Sequence, residues 1–198
     1  LSYLTFAFNI DHISKEDIQN LSLITDLLTK VNTKNYSYES LNNEIYKTTG
    51  GIVITNASYS DSKNSKNFFP YLNVSVKMLD DKIEDSLNLL NEIINTSDFS
   101  DKDRIKEILL TEKSQMESSI LQNGHGIASE MVKSYYSPQG DYNINISGLP
   151  IYFYLSDLLE DFDNKWEDFK NSIENLLSKI FVKNRLIINY TGNKETYI

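Results

Sequence analysis

Apolar and polar positions alternate at the start of the chain. In residues 1–9, Leu4, Phe6 and Phe8 fall on one face and Tyr3, Thr5 and Ala7 on the other, the period of a half-buried strand. The period then lengthens. Ser14, with Asp17 three residues on, opens a helix in which Ile18, Leu21, Ile24, Leu27 and Leu28 recur at helical spacing. Ser37 caps a second helix carrying Leu41 and Ile45, and Gly50-Gly51 ends it. Two strands follow, residues 52–59 and 71–79, joined by a polar hairpin link at 60–67. Leu72, Val74, Val76 and Met78 mark the inward face of the second.

Asp80 or Asp81 opens the next helix, with Ile83, Leu87, Leu90 and Ile94 inward. Ser100 caps the longest helix, 101–122, which Asn123-Gly124 stops, and a further helix covers 127–135. Residues 137–150 read as an exposed loop, broken by Ser137-Pro138-Gln139-Gly140 and Ser147-Gly148-Leu149-Pro150. Helices at 150–161 and 164–181 lead to a last strand at 185–190. The order β-α-α-β-β-α-α-α-α-α-β predicts an α+β two-layer sandwich, a mixed sheet of about four strands with helices on one face. No repeat or interdomain linker divides residues 1–198, which are expected to form a single non-catalytic domain. Leu1 already lies inside an alternating segment and the chain stops shortly after another strand. Both ends are therefore expected to be cuts in a longer, multidomain protein.

Composition narrows the function classes. The chain has 198 residues and should bury roughly 70 % of its unfolded surface, so it needs no metal or disulfide to fold. The absence of cysteine removes disulfides, thiolate zinc sites, iron–sulfur clusters and a cysteine nucleophile, and it fits a reducing compartment. A net charge of −9, with Arg104 and Arg185 the only arginines, argues against nucleic acid as a partner. No apolar run reaches the ~20 residues of a membrane span, so no membrane partner is expected. Lys over Arg, with much Asn, Ile and Tyr, suggests an AT-rich, bacterial genome and a cytoplasmic protein.

Candidate chemistry is sparse. His12 and His125 lie far apart and neither has a partner at helical spacing, so no His-Glu-x-x-His or His-x-x-Glu-His motif exists. His12 reads as a turn residue and His125 as a bonder of a local carbonyl. No nucleophile elbow, phosphate loop or dinucleotide fingerprint is present, and Gly50-Gly51 runs from helix to strand, the reverse of a phosphate loop. The carboxylates of Asp80-Asp81, Asp101-Asp103 and Glu160-Asp161 fall at expected helix ends, where a helix start favours negative charge. Aromatics gather at Phe68-Phe69-Pro70-Tyr71 and at Tyr135-Tyr136 with Tyr142, Tyr152, Phe153 and Tyr154. They serve either as packing faces or as stacking surfaces for an extended peptide.

Several stretches, taken in order, are similar to one known family. They are Asn35-Tyr36-Ser37-Tyr38, Leu41-Asn42-Asn43-Glu44-Ile45 and Thr49-Gly50-Gly51, then Arg104-Ile105-Lys106-Glu107-Ile108 and Lys113-Ser114-Gln115-Met116. Asn123-Gly124-His125, Ser134-Tyr135-Tyr136-Ser137-Pro138, Gly148 and Phe153-Tyr154-Leu155 continue the series. Over nearly its whole length the chain resembles the presequence protease family of pitrilysin-type zinc metallopeptidases, the inverzincins. The resemblance implies the third of four related α+β domains, which close around a peptide in two halves. It places the zinc motif in the first domain and the assisting Arg and Tyr in the fourth, so no catalytic or metal residue carries over and zinc belongs to the parent enzyme. The partners it implies are the other domains of the same polypeptide and unstructured peptide substrates. Ile54-Thr55-Asn56-Ala57, after Gly50-Gly51, sits where the family's catalytic domain has a substrate-pairing edge strand. It is either a relic of duplication or a chamber-lining segment. A catalytically inactive scaffold or peptide-binding domain of the same fold is the alternative function.

Overall fold

The structure, a computed structural model, describes residues 1–64 and 66–196; residue 65, inside the expected hairpin link, and residues 197–198 lie outside that description. Strand β1 (Ser2–Asn9) is followed by α1 (Ile18–Leu27), a two-residue β2 (Asn32–Thr33) and α2 (Tyr38–Thr48). The hairpin strands β3 (Ile52–Ser60) and β4 (Phe68–Met78) lead to α3 (Ile83–Thr96) and β5 (Ser97–Asp98). Five helices come next: α4 (Lys102–Gln122), α5 (Gly124–Ser134), α6 (Pro138–Ser147), α7 (Leu149–Glu160) and α8 (Phe162–Ile180). Strand β6 (Leu186–Thr191) closes the order.

The α+β class and the four-stranded sheet are as the sequence predicts. The strand order is β3-β4-β1-β6, and every pairing is antiparallel where a mixed sheet is expected. The physical reason is a skipped position. The helical connection from β1 returns the chain to β3 in the same direction, but β4 folds back between them. Likewise β1 lies between β4 and β6, so parallel-running strands never touch. β2 and β5, too short to show in the pattern, pair with each other and pin the start of α2 to the end of α3.

Alternation sorts the sheet into two faces. Phe8, Leu72, Val74, Val76 and Met78 are buried on the helical side, with Leu4, Phe6, Ile52, Ile54 and Leu186 packed against them. The opposite face keeps Tyr3, Val53, Tyr59, Phe69 and Ile187 exposed. Helix α1 is the centre of the helical side: it touches β3, α4, α6, α7 and α8, and Leu21, Ile24 and Leu27 are fully buried. Side chains around its circumference are covered, which is why its apolar pattern is broader than a single stripe.

Three local expectations change. Residues 137–150 are not an exposed loop but contain α6, with Tyr142, Ile144 and Ile146 buried. Asn, Gly, Asp and Ser are weak helix formers and the apolar residues alternate at period two. Helix formation there depends on the Ser137 hydroxyl, which accepts the Gly140 N–H, and on burial among α1, α5, α7 and β3. The inward face of α3 is Ser86, Leu89, Leu90 and Ile93, whereas Leu87 is exposed and Ile83 and Ile94 only flank the core. Ser86 is small enough to let α3 approach α2, and its hydroxyl donates to the Thr48 carbonyl at 3.4 Å. Finally, Asp101 rather than Ser100 caps α4, its carboxylate accepting the Arg104 N–H at 3.0 Å. The Ser37 cap forms as expected.

Candidate functional site

The segment singled out from the sequence lies on β3, and β3 is an edge strand of the sheet. Its odd-numbered residues bond β4: the Lys77 N–H donates to Gly51 O at 3.1 Å, and antiparallel alternation carries that pattern to Val53, Thr55 and Ala57. The backbone groups of Ile54, Asn56 and Ser58 therefore point away from the sheet, toward the free edge. At Ser58 the edge is closed from within the chain, because Gln139 Nε2 on α6 donates to its carbonyl at 2.8 Å. Gly51, with φ of 127°, supplies the backbone turn that brings α2 into β3, a conformation only glycine adopts without strain.

The four residues divide between the two sides of the strand. Thr55 and Ala57 lie on the outer face, opposite Asn73 and Tyr71. Ile54 and Asn56 turn inward and line a cleft of about 420 Å³ with Ser22, Thr25 and Asp26 of α1, Glu112 and Met116 of α4, Ile146 of α6 and Ile151 of α7. The Asn56 Oδ1 is buried there and no donor reaches it. Lys30 reaches in from beyond α1 and holds Glu112 at 2.8 Å. Asp26 has its pKa raised to about 6, chiefly by burial and further by the Glu112 carboxylate, with Lys30 acting in the opposite sense.

Asp26 and Glu112 are the site residues that sequence reasoning passed over. Asp26 left a trace, being the one charged residue in the otherwise apolar run from Leu21 to Leu28. Glu112 left none, since α4 carries charges on most of its surface.

The histidines do not meet. The ring of His12 lies against the Lys179 carbonyl, at 3.1 Å from Nε2, while His125 is exposed in the first turn of α5. Among the described residues no group of three or more His, Cys, Asp or Glu side chains could hold a metal ion. The edge cleft offers two carboxylates with an ammonium bound between helices, which is not a zinc donor set. The paired acids act as expected at helix starts: Asp101 caps α4 and Asp80 accepts from the Ser2 hydroxyl at 2.7 Å ahead of α3.

The aromatic clusters partly join. Phe68 and Tyr142 stack at 5.5 Å beside Tyr135 and Tyr136, in a cleft of about 720 Å³ that Ile10, Ile13 and Ile18 complete. Burial pushes the Tyr142 phenol pKa up, and its hydroxyl has no partner. Tyr154 instead donates inward to Asn20 at 2.5 Å, which in turn bonds Ser172 on α8. Tyr152 and Phe153 stack on each other at 5.5 Å, with Phe153 exposed.

No helix among the described residues is long and apolar enough to cross a membrane. The solved structures similar to this one include a conserved protein from Enterococcus faecalis V583, with a TM-score of 0.68 and 15 % identity over 99 % of this chain and 45 % of that one. The periplasmic protease PqqL from Escherichia coli follows, with a TM-score of 0.60 and 13 % identity over 98 % of this chain and 20 % of that chain. At such identities the likeness is one of fold. In sequence, the chain is 34 % identical to Protein HypA of Clostridium perfringens over 197 residues, covering 100 % of this chain and 20 % of that protein. It is 26 % identical to presequence protease 1, chloroplastic/mitochondrial, of Arabidopsis thaliana over 198 residues, 98 % of this chain and 18 % of that protein. The chain thus spans about a fifth of the length of these curated relatives. A family model for the peptidase-associated region of metallopeptidase family 16, subgroup C, matches residues 1–158. On that match and the HypA identity, the chain belongs to this peptidase-associated family of the pitrilysin-type, presequence protease-like metallopeptidases.

Proposed function

We propose that residues 1–198 form one non-catalytic domain of a longer zinc-dependent endopeptidase of the bacterial cytosol, and that this domain walls a chamber in which unstructured peptides are held for cleavage. The observation that carries the reading is the free edge of β3, where the backbone groups of Ile54 and Asn56 face outward beside an open cleft. An extended peptide can add to such an edge as a further strand, whereas a folded protein presents no free strand to it. Support comes also from the uncovered sheet face with its exposed Tyr3, Val53, Tyr59 and Phe69, and from relatives about five times longer that include presequence proteases. The zinc and the hydrolytic groups belong, on this reading, to other parts of the longer protein, which are the domain's first partners.

The test is a kinetic comparison in the full-length protein. Asn56→Ala alters the inward cleft at the edge without removing a ladder bond. It is expected to raise KM for long unstructured peptides several-fold and to leave kcat and the cleavage of very short peptides unchanged. An unaltered KM for long peptides would remove β3 from the substrate path, and the chamber-wall role with it.

A further inference from the structure

The cleft beside β3 has an imbalance of hydrogen-bonding groups. Its hydroxyls are already committed, Ser22 donating to the Ile146 carbonyl at 2.6 Å and Thr25 to the Ser22 carbonyl at 2.7 Å. What remains facing the space is acceptor: the buried Asn56 Oδ1 without a donor, and an Asp26 carboxylate that makes no ion pair or hydrogen bond among the described residues. Two carboxylates share one cation, Lys30, which is engaged with Glu112. The charged lining is Asp26 from α1, Glu112 from α4 and Lys30 beyond α1; the lining residues from β3, α6 and α7 are uncharged. Met116, Ile146 and Ile151 supply apolar wall. A half-buried carboxylate and a buried amide oxygen in this state each cost stability until a donor arrives.

We propose that this cleft is a side-chain subsite for arginine or lysine in an extended peptide paired along β3, with Asp26 as the principal counter-charge. The proposal rests on the reading of β3 as a peptide-pairing edge and adds what that edge selects. In an antiparallel pair, cross-strand neighbours send their side chains to the same face. A peptide residue opposite Asn56 therefore projects inward, over α1 and α4. A long basic side chain lays its methylene stem along Met116, Ile146 and Ile151 and delivers its charged head to Asp26 and the Asn56 Oδ1. Neutral or acidic side chains bring no such charge, and acidic ones add a third carboxylate to two already in place.

The experiment is fluorescence anisotropy on the full-length protein, with three labelled probes. The first is a short unstructured peptide of Thr, Val and Ser with one central Arg. The second replaces that Arg with citrulline, which keeps shape and loses charge. The third carries the Arg but is N-methylated at alternate backbone positions, which blocks strand pairing. The Arg probe is expected to bind on the order of tenfold tighter than the citrulline probe. Asp26→Asn, nearly isosteric, should erase that preference, and lowering the pH through 6 should erase it in the unmodified protein. Equal affinity for the Arg and citrulline probes, or a preference that survives Asp26→Asn, overturns the proposal. The methylated probe separates the two levels of inference. If Arg and citrulline probes bind alike and methylation abolishes both, the pairing edge stands and the basic subsite falls. If methylation has no effect, or no probe binds, the edge reading and the subsite fall together.

Discussion

Gly140 is the position where a single methyl group should do most harm. It lies buried in the first turn of α6, pressed onto the last turn of α5. A Cβ placed there would stand 2.4 Å from the Lys133 carbonyl oxygen, 2.7 Å from its carbon and 3.0 Å from the Ser134 nitrogen. These are backbone atoms in a helix end, so they cannot rotate away as a side chain would. Relief requires about an ångström of separation between the helices, a distance at which their dispersion contacts are largely lost. The same movement stretches the Ser137 cap, which accepts the Gly140 N–H at 3.0 Å. Overpacking of this kind costs about 1–3 kcal/mol, and loss of the cap about 1 more. The intrinsic helix preference for Ala over Gly returns up to about 1 kcal/mol. Gly140→Ala should therefore lose about 2–3 kcal/mol, a fall in Tm of about 4–10 °C for a chain this long. Gly124→Ala is the control, since no atom lies within 4 Å of its added Cβ and its φ is not positive. It should change stability by less than about 0.5 kcal/mol. Urea unfolding followed by the fluorescence of Trp166, the one tryptophan and a buried one, reads both. Equal stabilities for the two variants would refute the close contact between α5 and α6.

Two further outcomes follow from the edge cleft. Asp26 has a folded pKa of about 6 against an ordinary 3.8, so the folded protein binds this proton more tightly than the unfolded chain. Its charge thus lowers stability progressively as pH rises from about 4 through 6, and the loss persists above that window. After allowance for its partial exposure, Asp26→Asn should stabilise the protein at pH 7 by on the order of 1–2 kcal/mol and leave it unchanged near pH 3. Denaturation midpoints across pH 3–8 check this, and a stability gap that widens as pH falls would contradict it. Gln139→Ala removes the donor to the Ser58 carbonyl and hydroxyl, at 2.8 and 3.1 Å, and should cost about 1 kcal/mol. Hydrogen exchange should quicken at the end of β3 and hardly elsewhere; uniform quickening would mean that the bond supports the whole fold.

The peptide-chamber reading links these outcomes. The cleft that would receive a basic side chain is also where the chain carries unrelieved acceptors, so a substitution that stabilises the apo protein there should weaken the site. That trade between stability and binding is expected of preformed polar sites.

Sequence alone determined the elements whose signals are local. β1 and β4 announce themselves by alternation, α2 by the Ser37 cap, and the absence of zinc, thiol and phosphate motifs by residue type. The ordered run of motifs also reached the family, because motif order survives where fold contacts cannot be read. What needed the tertiary structure was everything set by non-local packing. Helix α6 forms against its own composition because α1, α5, α7 and β3 bury Tyr142, Ile144 and Ile146. The buried face of α3 could not be chosen from its periodicity, since two neighbouring apolar stripes fit and only contact with α2 selects Ser86, Leu89 and Ile93. The edge position of β3 depends on strand order, and the meeting of Asp26 with Glu112 on the packing of α1 against α4. Alternation and capping act within a few residues and are written in the chain. Strand neighbours and cleft walls are chosen by the burial of surfaces far apart in sequence, and no local pattern encodes that choice.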